Sequence, residues 1–330
     1  MRRLAIAMFA SALTAWTQFF PPSTIHVSTV DFATGRLIEK PQALSSEVGA
    51  NHDAMWSPDG NSLAYMSDEP GVAKPKLVVR SADSGRIIRE VRVPLGRFAP
   101  VVWAGNSLYG IGQNSASGGG IYRVDAETGA AEPVYIGDGH LRVSRDGKSV
   151  FFERPLQNGN EMALIEREIA GGKEREIMRR EWFQGVGVSQ NKQYIVTAGI
   201  DRVTNSRTVL LISVASREVR EVLRVGSDLM PSDLTIFARG TRFWHAEWVP
   251  GGRSFLMLKR LADQTQNDEV WEVPLEGTPR ILDFRLPRTT LTYRLQPGGN
   301  KIAWAEATTG VSGATREPRT PKNLLLAAGK

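Results

Sequence analysis

The chain has 330 residues, of which 41% are hydrophobic, and its formal net charge is +6. This composition is typical of a globular protein, and the modest positive charge, without a basic stripe, argues against a nucleic-acid partner. The chain contains no cysteine, which excludes disulfides, thiolate metal sites and cysteine nucleophiles.

The N-terminal segment has the pattern of an export signal. Arg2 and Arg3 precede an apolar run at residues 4–15. This run is shorter than the roughly 20 residues that a membrane-spanning helix needs, but a positive start before a short apolar core is typical of a secretory signal. The sequence therefore predicts a signal peptide over residues 1–20, with export to the periplasm or the cell surface. An apolar leader packed on the domain is the alternative.

A turn-and-strand motif recurs along the chain. Each copy has an apolar lead residue, a turn such as Ser-Pro-Asp-Gly-Asn and a short apolar strand. The clear copies have lead residues Trp56, Val143, Val188, Trp248 and Leu295, and a weaker copy starts at Trp103. Lead residues 40–60 positions apart, with strand and turn chemistry between them, are typical of four-stranded propeller blades.

The two ends of the chain are predicted to share one blade. Residues 25–44 have the pattern of third and fourth strands, and residues 292–305 have that of first and second strands. We therefore predict an all-β, six-bladed propeller of four-stranded antiparallel blades over residues 25–306, closed by N- and C-terminal strands. Residues 307–330 form a C-terminal tail. As an alternative, the apolar residues 324–326 supply a strand to a partial seventh blade.

These repeats resemble a known family. The segment WSPDG at residues 56–60, with IYRVDAETG at residues 121–129, is similar to the repeat of TolB and of WD-type bacterial propellers. The resemblance covers about residues 25–306 and implies a periplasmic propeller with a protein partner. It covers the propeller part only, because residues 1–24 leave no room for the α/β domain that precedes the propeller in TolB.

Histidines and an aspartate recur at one place in the repeat. His140 and His245 each lie three residues before a lead residue, Asp53 lies at the same position of the first copy, and His52 precedes it. In a propeller this position is near the start of the innermost strand, at the channel mouth. We predict that all four are binding residues there and that no cofactor is needed. The alternative is a divalent metal, because Asp53, His140 and His245 have ligand chemistry that suits Zn, Mn or Fe.

A long insert lies between the copies led by Val188 and Trp248. It spans residues 224–246 and mixes aromatic and apolar side chains with arginine, a composition typical of interaction hot spots. Packing of these side chains on their own blade is the alternative. The predicted contact residues are Met230, Phe237, Arg239, Arg242, Phe243 and Trp244.

Together these patterns predict a non-enzymatic, TolB-like binding scaffold with no catalytic residues. The expected partner is a protein or peptide, with envelope proteins among the candidates, and the expected molecule is a monomer that is soluble after export, without a transmembrane span. The first alternative is a metal-dependent propeller enzyme, of the lyase or lactonase type, with its site at the channel. The second is a sensor propeller detached from a signalling protein.

Overall fold

The computed structural model describes residues 20–45, 47–137, 141–156, 161–181, 183–201, 206–225, 246–259 and 265–308. Within these ranges every regular element is a β-strand, and none is a helix. Accordingly, the described residues include no helix long and apolar enough to cross a membrane.

The described ranges contain 25 strands. The first eleven are β1 (Ser23–Asp31), β2 (Arg36–Leu37), β3 (Gln42–Ala43), β4 (Ala50–Trp56), β5 (Ser62–Asp68), β6 (Lys76–Ser81), β7 (Ile87–Arg92), β8 (Arg97–Ala104), β9 (Ser107–Asn114), β10 (Gly118–Asp125) and β11 (Ala131–Ile136). The others are β12 (Arg142–Val143), β13 (Ser149–Pro155), β14 (Met162–Glu168), β15 (Glu174–Arg180), β16 (Phe183–Val188), β17 (Tyr194–Asp201), β18 (Ser206–Ser213), β19 (Val219–Val225), β20 (Glu247–Trp248), β21 (Ser254–Lys259), β22 (Asp268–Pro274), β23 (Arg280–Leu286), β24 (Thr290–Leu295) and β25 (Lys301–Ala307).

Four sheets consist of four consecutive antiparallel strands each. They are β8 to β11, β12 to β15, β16 to β19 and β20 to β23. The first strands of neighbouring groups contact one another, since β8 contacts β4 and β12, β12 contacts β16, and β24 contacts β4 and β20. Antiparallel sheets whose first strands converge in this way form a propeller ring.

The fifth sheet has nine strands and joins the two ends of the described chain. Its main order is β24-β25-β1-β4-β5-β6-β7, and β2 and β3 also pair with β1. Strand β1 runs antiparallel to β25 over seven residue pairs, with Ile25 opposite Ala305 and Val27 opposite Ala303. The predicted pairing between the N-terminal and C-terminal strands is therefore present.

The prediction of six separate four-stranded sheets is wrong, because four sheets have four strands and the fifth has nine. The fusion comes from a single parallel pairing between Ser23 of β1 and Ala50 of β4, with a 3.1 Å hydrogen bond from the Ser23 N–H to the Gly49 carbonyl. Gly49 permits this approach because its φ is 122° and a β-carbon there would lie 2.2 Å from the Asp68 carbonyl oxygen.

Hydrophobic clusters fill the space between successive groups of strands. One cluster joins Val196 of β17 to Phe255 of β21, and another joins Phe151 of β13 to Ile195 of β17. Equivalent clusters occupy the remaining interfaces, including one inside the nine-stranded sheet, where Ile25 belongs to the same cluster as β4 and β5 side chains. The core is therefore distributed around the ring between faces of neighbouring sheets.

Three of the tight turns that end the first strands share one hydrogen-bond pattern. Ser57 Oγ donates to Asp59 and accepts a 2.9 Å bond from the Ser62 N–H. The other two turns use Ser144 with Asp146 and Ser189 with Asn191. Because these side chains satisfy backbone donors in the turn, the Ser-x-Asp/Asn pattern sets where β4, β12 and β16 end.

Candidate functional site

A cavity of about 90 Å³ lies where the first strands of the groups converge. Side chains or backbone from β4, β8, β12, β16, β20 and β24 line it. Each of these strands contributes the residue immediately before its lead residue, namely Met55, Val102, Arg142, Gly187, Glu247 and Arg294. The cavity is therefore the central channel, at the end where the first strands enter their tight turns.

The charged groups lining the channel are mostly basic. Arg294 is 7% exposed, and its Nη1 lies 3.8 Å from Glu247 Oε2. Burial, together with the charge of Arg294, lowers the pKa of Arg142 to about 10, against the opposing charges of Glu153, Glu247 and Asp53. Arg142 and Arg294 therefore lie close enough for their charges to interact, with carboxylates around them.

A third guanidinium comes from the turn after β12. Arg145 occupies the place that Pro58 takes in the first copy of the repeat, and it lines the same cavity. Burial lowers the pKa of Arg145; Glu247 opposes this shift and Arg294 adds to it. The cavity lining therefore holds three arginines and one carboxylate.

The tryptophan lead residues differ in how their indole nitrogens are bonded. Trp56 Nε1 donates to the Arg294 carbonyl at 3.2 Å. Trp248 lines the cavity and is 5% exposed, and its Nε1 has no hydrogen-bond partner among the described residues. A buried donor without an acceptor is costly, and the indole ring packs against Tyr194 and Phe255 in the cluster between neighbouring groups of strands.

His52 and Asp53 form a separate buried group at the start of β4. His52 Nδ1 lies 2.9 Å from Asp53 Oδ2, and His52 Nε2 lies 3.2 Å from Asp68 Oδ2. Phe20 stacks on the imidazole with ring centroids 3.8 Å apart, and Arg97 lies over Phe20. Burial lowers the pKa of His52, but the hydrogen bonds and charges of both aspartates outweigh it and raise the pKa to about 9.

A β-bulge separates this group from the channel cavity. The pairing of β4 with β5 steps from His52 opposite Met66 to Met55 opposite Ala64, and Asp53 has a φ of 51°. The extra residue breaks the alternation of side chains along the strand. As a result, His52 and Asp53 are 2% and 6% exposed and do not line the cavity. Their predicted role in binding stays a prediction.

The other predicted site residues lie outside the described residues. These are His140, His245 and the insert residues Met230, Phe237, Arg239, Arg242, Phe243 and Trp244. No group of three His, Cys, Asp or Glu side chains within the described ranges could hold a metal ion. The predicted metal set includes two of the residues outside those ranges, and it stays a prediction.

The sequence analysis missed the arginines of the channel, although the repeat contained a signal for them. Arg142, Glu247 and Arg294 share the position directly before the lead residue, which faces the channel in every group. Charge at a position that is otherwise apolar or glycine was visible in the aligned copies. The predicted residues lie three and four positions before the lead residue, where in β4 a bulge interrupts the alternation of side chains.

The ring of antiparallel sheets around this channel defines the chain as a β-propeller. The chain is similar to a protein assigned as TolB from Agrobacterium tumefaciens, with a TM-score of 0.60 and 15% identity, covering 88% of this chain and 99% of that one. It is also similar to TolB from Acinetobacter baumannii, with a TM-score of 0.52 and 16% identity, covering 82% and 68%. No protein-family model and no curated protein sequence matches the chain. At these identities the likeness shows a TolB-like propeller fold.

Proposed function

We propose that this protein is a non-enzymatic binding scaffold of the cell envelope, which holds a protein or peptide partner at one rim of the propeller and at the channel mouth. The observation that carries the proposal is the channel itself, on which six strands converge from all sides. Long connections on a rigid ring commonly carry binding residues. The candidate contacts are Asp53, His140, His245 and the 224–246 insert, each of which precedes a lead residue of the repeat in the sequence.

The proposal includes a ring of six blades. The nine-stranded sheet acts as two of them, because β1 and β4 share only one paired position. Six clusters of buried side chains among the described residues, one for each interface between successive groups, support this count. The sixth blade then comprises β24, β25, β1 and the short strands β2 and β3.

The cellular setting is also part of the proposal. The TolB-like fold supports a periplasmic or extracellular location, reached through a signal in residues 1–20, and the proposal takes the protein as a monomer. A fusion of residues 1–24 to a reporter enzyme tests this, with the same fusion carrying Arg2→Glu and Arg3→Glu as control. We expect the first fusion in the periplasm and the second in the cytoplasm; cytoplasmic retention of both contradicts the localisation.

The binding rim can be tested by site-specific photo-crosslinking in envelope extracts. Ile136 and Ile88 are both exposed isoleucines on fourth strands, but Ile136 is the last residue of β11 and Ile88 is the second residue of β7, so they lie toward opposite rims. A photoreactive residue at 136 should give a discrete adduct that is lost with Trp244→Ala, whereas one at 88 should not. The same adducts from both positions, or none from either, would contradict the scaffold.

The metal-dependent enzyme and the sensor module stay alternatives. Measuring metal bound to the purified chain separates the first from the scaffold. A stoichiometric ion that is lost in His140→Ala, but kept in His26→Ala, would favour the enzyme. A chain free of metal that still gives the partner adduct would favour the scaffold.

A further inference from the structure

We propose that the export leader is removed by hydrolysis of the peptide bond between Ala15 and Trp16, so that Phe20 stays in the mature chain as its N-terminal anchor. This cleavage site rests on the export that belongs to the proposed function, and it moves the end of the leader from residue 20 to residue 15. The packing of Phe20, the attachment of the backbone that follows it and the sequence of residues 1–19 support the site.

The Phe20 side chain is part of the core at the place where the ring closes. It is 4% exposed and belongs to one cluster with Ile25 of β1, Ala50 of β4 and Leu291 of β24. Strands β1 and β24 both belong to the closing group of strands, and β4 begins the next group along the chain. A large apolar side chain at this junction stabilises the fold, so a mature chain without Phe20 would lose core packing.

The Phe20 ring also covers a buried positive charge. His52 stacks on it with ring centroids 3.8 Å apart and an interplanar angle of 23°, and the Arg97 guanidinium carbon lies 5.9 Å from its centroid. Burial lowers the pKa of His52, but its two aspartate partners outweigh this effect and raise the pKa to about 9, so the imidazole is charged at neutral pH. The face of an aromatic ring attracts a cation. Loss of Phe20 would remove this contact and admit water to the buried ion cluster.

The backbone that follows Phe20 is held from two sides. The Pro22 carbonyl accepts a 2.8 Å hydrogen bond from the Thr308 N–H, and the Ser23 N–H donates to the Gly49 carbonyl at 3.1 Å. Prolines at positions 21 and 22 restrict the φ angles of this connection. Because the connection is already ordered, Phe20 loses little further conformational entropy when it packs. The folded unit therefore includes Phe20, and a cut after it would remove a packed residue.

The sequence before Phe20 leaves a narrow window for the cut. Secretory signals have at least about 15 residues and end at a small residue. If Phe20 is retained, the last residue of the leader lies within 15–19, which read Ala-Trp-Thr-Gln-Phe. Ala15 is the smallest of these, since the others are two aromatic residues, a threonine and a glutamine. A cut after Ala12 would leave a leader of 12 residues, which is below that length.

The step is the hydrolysis of one peptide bond by a signal peptidase. One water is consumed, the Ala15 carbonyl becomes a carboxylate, and the Trp16 nitrogen becomes the new α-amino group. The products are the leader 1–15 and a mature chain 16–330, which keeps residues 16–19 ahead of Phe20. Leu13, three positions back from the cut, is larger than the alanine preferred there. Processing should therefore be slow, and Leu13→Ala should quicken it in a pulse-chase measurement.

Intact mass and N-terminal sequencing of the exported full chain test the cleavage site. The chain is made with its own leader in a bacterial host and purified from the periplasm, and we expect one N-terminus, at Trp16. Ala15→Tyr should block processing and accumulate the precursor, whereas Ala12→Tyr, the same change away from the cut, should leave the N-terminus at Trp16. A mature chain that starts at Leu13, or at Pro21 or beyond, overturns the proposal.

Thermal melting tests the anchor without relying on export. Chains that start at Trp16, Phe20 and Pro21 are made in the cytoplasm without a leader. We expect the first two to melt alike and the third to melt lower by about 5 °C or more, or to fail to fold. Phe20→Leu in the chain that starts at Trp16 keeps an apolar side chain but removes the ring, and its melting temperature should fall less. Equal melting of all these chains overturns the role of Phe20.

The outcomes separate the cleavage site from the proposed function. A precursor that keeps residues 1–15 and stays in the cytoplasm contradicts the localisation together with the cleavage site. An exported chain that starts at Pro21 contradicts the cleavage site alone and leaves the binding scaffold standing. A missing crosslink at residue 136, in a mature chain that starts at Trp16, contradicts the scaffold alone.

Discussion

His52 shows how a single buried residue can make stability depend on pH. Its imidazole is clamped between Asp53 and Asp68, and Phe20 covers one ring face. Removing the proton would leave two carboxylates facing a neutral ring in a buried position. The charged form is therefore the stable one, and the pKa of His52 is raised from 6.5 to about 9.

We predict that alkaline conditions weaken the fold through His52. Because the folded-state pKa exceeds the unfolded value, the stabilisation is complete below pH 6.5 and is lost as the pH rises through 9. Denaturant unfolding from pH 6 to pH 10 should show a loss on the order of 3 kcal/mol that is absent in His52→Gln. The control is His26→Gln, because burial lowers the pKa of His26; this variant should keep the alkaline loss. The same alkaline slope in His52→Gln would refute the prediction.

Lys192 offers a second test at the residue scale. Its φ is 57°, in the left-handed region, at the turn position where Gly60 and Gly147 stand in other copies. The ion pair of its Nζ with Asp146 at 3.1 Å is partly exposed and contributes little. We predict that Lys192→Gly raises the free energy of unfolding by about 0.5–1 kcal/mol, measured by denaturant titration. Lys192→Ala removes the ion pair but keeps the strained backbone, so its free energy of unfolding should not exceed that of the original chain. An equal increase in the free energy of unfolding of both variants would argue against backbone strain.

At the scale of the strand, the repeat predicts much of what the structure contains. The tight turns could be located because Ser-x-Asp/Asn-Gly places side-chain acceptors and a glycine at fixed offsets, as at Ser57 and Gly60. The bulges could not be located from the sequence, because the extra residue of a bulge, such as Asp53, is not of one fixed type. The direction of the side chains before the lead residue therefore cannot be read from the spacing alone, and the binding role of His52 and Asp53 stays a prediction.

The register between β1 and β25 can be tested with engineered disulfides. The chain has no cysteine of its own, so an introduced pair has no competitors. Val27 lies opposite Ala303, and facing residues of antiparallel strands have the Cα separation that a disulfide requires. We predict that Val27→Cys with Ala303→Cys forms a crosslink under oxidising conditions, detected by mass spectrometry of the digested protein.

A register control uses the next residue of β25 on the same face. Val27→Cys with Ala305→Cys places the second thiol two residues away, opposite Ile25 rather than residue 27. This pair should stay largely reduced under the same conditions. Efficient crosslinking of the control, with none of the predicted pair, would contradict the register of the closing strands.

At the scale of the whole molecule, closure depends on one strand from each end of the chain. The self-similarity of the sequence was enough to predict that residues near Ile25 and Ala305 meet, because an incomplete set of strands at each end completes one unit. It was not enough to predict the nine-stranded sheet, because the link between Ser23 and Ala50 depends on Gly49 approaching Asp68. Such a contact between loops and strand ends has no periodic signature.

We predict that losing the closing strand opens the ring. A chain ending at Asn300 lacks β25, so β1 loses its main antiparallel partner and β24 loses its neighbour. It also removes Ile302 and Trp304, which are 0% and 2% exposed. Unpaired strand edges beside exposed apolar surface favour edge-to-edge association, so this chain should form larger species in analytical ultracentrifugation and melt at a lower temperature than the full chain.

The control for this truncation is a chain that ends at residue 308 and keeps every residue of β25. It should sediment and melt like the full chain, because all pairs from Ser23–Ala307 to Thr29–Lys301 are retained. The two chains differ by residues 301–308, which include all seven residues of β25, so the comparison separates the loss of this strand from the loss of the chain beyond it. If the chain ending at Asn300 behaved like this control, the closure between the first and last strands would contribute little to stability, and the ring would have to be held by packing between its sheets alone.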